Sequence, residues 1–145
     1  MKNLQEVLKK EKYKKINFKV SKTQHLLVKA SINGVTGNFI LDTGASNSCI
    51  GISDIELFRL NTEDSKNKAS GAGSRDIETQ SSKSNSLKLG KWKIADLELI
   101  VLDLSHINEA LAELKAKPTH GIIGADILLK GKAIIDYSNK CLYLK

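Results

Sequence analysis

Phe39-Ile40-Leu41-Asp42-Thr43-Gly44-Ala45-Ser46 joins an apolar run to an acid, a Thr and a Gly. A carboxylate next to three apolar residues is costly to place unless it is paired or hydrogen-bonded. A Gly two positions further on lets the backbone turn sharply and approach another group closely. The pattern therefore reads as a buried strand that delivers one acid to a tight loop. It occurs once in the 145 residues.

The length fits one domain. Apolar residues make up 41% and aromatics only 5%, which predicts an aliphatic core. No apolar run approaches the roughly 18 residues that a membrane span needs. The stretch from Met1 to Val20 has no apolar centre of the kind a secretory signal carries. Cys49 and Cys141 lie far apart in sequence. Without an export signal they read as free thiols of a reducing, cytoplasmic compartment.

The net charge is +7. Residues 1–22 hold eight Lys against Glu6 and Glu11, which accounts for nearly all of the surplus. This is an Arg-poor, Lys-rich arm and not an extended basic stripe. It reads as a solvated face, and nucleic acid and membrane are not expected as partners.

Leu4, Val7 and Leu8 stand at helical spacing and predict a short amphipathic helix over 2–12, its apolar stripe docked on the domain. From Ile16 the period becomes two: Ile16, Phe18 and Val20, then Leu26, Val28, Ala30 and Ile32. Asn33-Gly34 is a hairpin signal, and the return strand 38–41 leads to Asp42. Between 61 and 86 the composition turns polar around Gly71-Ala72-Gly73, which suggests a hairpin lid or an exposed loop. A second hairpin is centred on Gly90-Lys91. A strand follows over 96–104. Ile107, Ala110, Leu111 and Leu114 predict a helix with Ser105 as N-cap. Gly121-Ile122-Ile123-Gly124 reads as a buried strand, 125–130 as a short helix closed by Gly131, and the chain ends in a hairpin over 133–144. The sum is a mostly β domain with two or three short helices.

A lone Asp is most often a turn or cap residue. Other chemistries find less support. His25, His106 and His120 lack ligand spacing, so no metal or other cofactor is expected. No Ser sits in a GxSxG elbow, and no glycine loop leads into a helix as phosphate binding requires. A pair of carboxylates remains. Two acids about 3 Å apart share one proton, and together they can activate water against an amide carbonyl. The chain encodes one such acid, and a two-fold symmetric homodimer would supply the second.

Leu41 to Ser46, the glycine tip Gly71–Gly73, and Gly121-Ile122-Ile123-Gly124-Ala125-Asp126-Ile127-Leu128 together resemble the retropepsin-like aspartic proteases. Ile134-Ile135-Asp136-Tyr137 and Leu142-Tyr143-Leu144 match the hairpin of the small cellular and bacterial members. The resemblance implies a mostly β acid-protease barrel over 15–145, preceded by an N-terminal Lys-rich helix or arm over 1–14. It implies an endopeptidase that is active as a homodimer on peptide or protein substrates. Asp42 would be the catalytic acid and base, and Thr43 would bond across the two-fold axis. Gly44 and Ala45 would line the floor, and Ser46 would help fix the loop. Gly71, Ala72 and Gly73 would be the flap tip. Ile122, Ile123 and Gly124 would support the loop from behind, and Asp126 would be structural. The alternative is a catalytically silent module of the same fold that binds peptides or dimerises. Two features depart from the viral pattern: the longer, more polar flap region and the added N-terminal helix.

Overall fold

Leu26, Val28, Ala30 and Ile32 all point inward, as their alternation predicts. The computed structural model of the chain describes residues 3–70 and 76–145, and for 65–70 and 76–78 the backbone alone. In chain order the elements are α1 (Leu4–Lys10), β1 (Lys14–Asn17), β2 (Lys19–Val20), β3 (Leu26–Ile32), β4 (Val35–Leu41) and β5 (Cys49–Gly51). A 3-10 turn (Ile52–Asp54) leads on to β6 (Thr62–Ser70), β7 (Asp76–Leu89), β8 (Trp92–Leu102) and α2 (Ser105–Glu113). Then come β9 (Gly121–Ile123), α3 (Ala125–Lys130), β10 (Ile134–Asp136) and β11 (Cys141–Leu144).

The main sheet runs β2-β3-β4-β9-β5-β8-β7-β6. A further pairing of Ile32 with Leu87 and of Ser31 with Lys88 joins β3 to β7 and closes the middle strands into a ring. A small second sheet, β1-β11-β10, lies beside it. The β3–β4 hairpin turns at Asn33 (φ 51°) and Gly34 (φ 84°), two left-handed residues that match the right-handed twist of the strands. The Asn33 side chain ties that turn to the opposite wall. It donates to the Phe58 carbonyl (2.8 Å) and to Asn85 Oδ1 (2.9 Å), and it accepts from the Ser86 N–H (3.0 Å). The β7–β8 hairpin shifts register around Asn85, where Ser84 and Asp96 take positive φ. Buried Asn85 donates to the carbonyls of Ser82 and Leu97 and so satisfies the main-chain groups the shift leaves over.

The core is less purely aliphatic than composition suggests. All three Phe and the single Trp are buried in it. Phe39, Phe58 and the His120 ring pack at centroid distances of 5.5–6.5 Å. Large aromatic surfaces fill a core efficiently, so even a few are drawn inward.

The helices differ from expectation in detail. In α1 only Leu8 is buried, against Cys141 and Tyr143 of the small sheet, while Leu4 and Val7 are exposed. That one side chain is worth about 2 kcal/mol of docking. In α2 Leu111 is buried, and Ile107 and Leu114 are exposed. Ser105 is the first helical residue, not the cap; its N–H donates to Asp103 Oδ1 (2.8 Å). Gly131 does not supply the left-handed residue that ends α3, since its φ is −88°. Its smallness is a packing requirement: a Cβ there would stand 2.8 Å from Leu144 Cδ2. All three helices close with a Lys in the left-handed position that Gly usually fills: Lys12 (φ 67°), Lys115 (φ 57°) and Lys132 (φ 48°). Each makes the same pair of bonds. Lys12, Lys115 and Lys132 N–H groups donate to Lys9, Ala112 and Leu129, and the next residues donate to Leu8, Leu111 and Leu128.

β9 is the strand that organises the barrel. It pairs parallel with β4 and antiparallel with β5. A methyl at Gly121 would run into the Cys49 carbonyl of the neighbouring strand. Gly121→Ala should therefore lower stability by about 3 kcal/mol, read as a shift of the urea midpoint.

Candidate active site

Leu41, the last residue of β4, is buried, and the next residue, Asp42, is exposed. The carboxylate thus leaves the core at the strand end, which removes the desolvation problem posed by its apolar neighbours. Its main-chain N–H donates to the Ile123 carbonyl (2.9 Å), so β9 holds it in place. Its Oδ1 accepts from the Gly44 N–H (2.8 Å). A Cβ on Gly44 would lie 3.2 Å from that oxygen, so the small residue lets amide and acid meet closely. The Ala45 N–H donates back to the Asp42 carbonyl (3.2 Å) and closes the turn. Thr43, Gly44 and Ser46 are exposed and Ala45 is half-buried, so the loop offers its outer side to whatever approaches.

β9 and the start of α3 lie behind the loop. Ile122 pairs with Ile40 and Ile123 with Leu41, side by side in a parallel ladder. Ile123 is buried and Ile122 half-buried. Gly124 follows at the start of α3, pressed against the loop: a Cβ there would come within 2.5 Å of the Ala45 carbonyl oxygen. The Ala125 N–H donates to that same oxygen (2.7 Å). The β9–α3 junction therefore grips Ala45 through its main chain.

The residue that sequence reasoning missed is Ser48. It is fully buried at the entry to β5. Its N–H meets both carboxylate oxygens of Asp126 (3.0 Å each), and its hydroxyl donates to Asp126 Oδ1 (2.7 Å). The same hydroxyl accepts from the Gly124 N–H (2.8 Å), and the Ile127 N–H donates to Asp126 (2.9 Å). Asp126 thus has the structural place expected of it. The bonds that fix the far end of the loop run through Ser48, while Ser46 lies exposed. The only signal in the sequence was a short polar residue directly before a buried strand.

The expected flap tip Gly71, Ala72 and Gly73 lies outside the described residues. Its arms, β6 and β7, pair from Thr62 with Ser82 to Ser70 with Asp76. Burial pushes the Cys49 thiol up to about 11, against a smaller opposite pull from a backbone hydrogen bond at Ile122. Among the described residues no three His, Cys, Asp or Glu side chains gather as a metal site would need. No helix among them is long and apolar enough to cross a membrane.

Residues 28–127 match the sequence model of a family described as aspartyl protease. No curated protein matches the sequence significantly. Among solved structures the chain is similar to a retropepsin-like aspartic protease from Rickettsia conorii (TM-score 0.61, 18% identity, 91% of this chain and 89% of that one). It is also similar to EIAV protease complexed with the inhibitor HBY-793 (0.60, 21%, 81% and 98%). A third likeness is to the retroviral protease-like domain of Ddi1 from Leishmania major (0.58, 20%, 83% and 88%). At these identities the likeness speaks to fold: the barrel is retropepsin-like and mostly β.

Ser48→Ala would strip Asp126 of a donor and leave the buried Gly124 N–H unpaired. It should lower stability by about 2 kcal/mol in urea unfolding, whereas Ser46→Ala should stay within about 0.5 kcal/mol of the parent. Cys49 is buried and remains a thiol well above neutral pH, so a disulfide reagent at pH 8 should label it only once denaturant is added.

Proposed function

Because the chain belongs to the aspartyl protease family, we propose that it is an endopeptidase acting as a homodimer, with two Asp42 carboxylates meeting across a two-fold axis. The observation that carries this reading is the exposed Asp42 carboxylate on a loop gripped from behind by Ile123, Gly124 and Ala125. A held acid with an open outer side is what a symmetric pair requires. Residues 15–145 form the catalytic domain in this reading, and 1–14 an accessory arm. The two unbridged cysteines favour a reducing, cytoplasmic setting.

The chemistry follows from two acids sharing one proton. The ionised Asp42 takes a proton from a water held between the loops, and the water oxygen adds to the scissile carbonyl carbon. The protonated Asp42 of the other copy gives its proton to the carbonyl oxygen. The tetrahedral diol then collapses: the C–N bond breaks, the nitrogen takes up a proton, and a carboxylic acid and an amine are released. Activity falls when both acids are ionised and when both are protonated. Thr43 would bond to the partner's loop, and Gly44 and Ala45 would meet the substrate main chain. The peptide would lie extended between this floor and the β6–β7 hairpin, with Gly71–Gly73 closing over it, its main chain bonded as an added strand.

Asp42→Asn should reduce cleavage of a peptide library by about a thousandfold or more. Undiminished turnover would end the proposal. Retained binding of a statine-like transition-state mimic by a parent chain without turnover would favour the silent module. Specific activity should also fall on dilution through the dimer dissociation constant.

A further inference from the structure

One cavity of the described chain lies away from Asp42. It measures about 690 Å³, within the range of ligand sites. It lies among β1, β2, β3, β4 and the connection into β9, and no residue of 42–48 lines it. Its floor includes Ile16, Phe18, Val28, Phe39 and Pro118. Its rim carries Lys15, Lys19, Lys29 and Lys117, all exposed, and no acid lines it anywhere. Lys15 makes one long bond, to Gln5 Oε1 (3.4 Å). The ion pair found among the described residues, Lys83 with Glu63, lies on the β6–β7 arms and involves none of these four. The rim lysines come from four separate segments: β1, β2, β3 and the connection into β9.

We propose that this groove is an exosite that docks an acidic, apolar stretch of a polypeptide substrate. Charge complementarity selects that occupant. A chain alternating acidic and apolar side chains serves the floor and several lysines together. The exosite rests on the endopeptidase reading for its purpose: holding a substrate at a second place raises its effective concentration at the first, which lowers KM and leaves kcat unchanged.

The test separates docking from turnover. Binding of a short fluorescein-labelled peptide alternating Asp or Glu with Leu or Phe is followed by anisotropy on the Asp42→Asn chain, which needs no activity. Saturable binding is expected, weakened at least about tenfold by the double reversal Lys19→Glu with Lys117→Glu. Binding should also weaken as salt shortens the screening length. A peptide with Lys in place of its acids should not bind. Equal binding by the reversed chain overturns the proposal, as does displacement of the peptide by dodecanoate or anionic vesicles. In the active parent, fusing the acidic tract to a cleavable peptide should lower KM at constant kcat, and the double reversal should cancel that gain while cleavage of the untagged peptide is unchanged. An exosite failure is thus read from anisotropy, and a failure of the endopeptidase reading from the absence of any cleavage.

Discussion

Everything in the molecule that bears on chemistry depends on one short strand lying between two others. β9 enters between β4 and β5, parallel to one and antiparallel to the other. Such an insertion demands that its residues fit neighbours on both sides, and glycines stand at both ends for that reason. Gly121 slides past the Cys49 carbonyl, and Gly124 past the Ala45 carbonyl. A side chain at either point would push the strands apart. With β9 seated, the Asp42 amide has the Ile123 carbonyl as its partner.

The entry to β9 is guarded by a second set of bonds. Asn108 of α2 clasps the main chain of Thr119 from both sides, donating to its carbonyl and accepting from its N–H. The Thr119 hydroxyl donates to the Gly121 carbonyl (2.6 Å). His120 Nδ1 accepts from the Asn38 N–H (2.9 Å), which places the proton of the neutral ring on Nε2. The α2 helix, with one buried leucine, therefore matters less for the apolar surface it covers than for the strand it positions.

Much of this was legible from the residues. The Leu41–Ser46 stretch gave the acid its strand and its loop because alternation and glycine placement are local signals. Asn33-Gly34 and Gly90-Lys91 marked the β3–β4 and β7–β8 hairpins for the same reason. What escaped was set by tertiary contact. Ser48 looks like any loop serine until Asp126, far along the chain, comes to meet it. The stripes Leu4-Val7-Leu8 and Ile107-Leu111-Leu114 have helical spacing, yet only Leu8 and Leu111 of them are buried. Alternation alone starts the return strand at Asn38, whereas it begins at Val35, since Gly37 and polar neighbours hide its period. Gly37 is there because a Cβ would strike the Phe58 ring, a contact no local pattern records.

The lysines that close the three helices have a consequence for durability. A side chain in the left-handed region costs about 1 kcal/mol that glycine avoids, and the cation recovers part of it at the negative end of the helix. Lys12, Lys115 and Lys132 therefore mark a reserve of thermal tolerance that the natural sequence leaves undrawn. A hardier version of this barrel could be reached at its periphery, one helix terminus at a time, with the acidic loop left as it is.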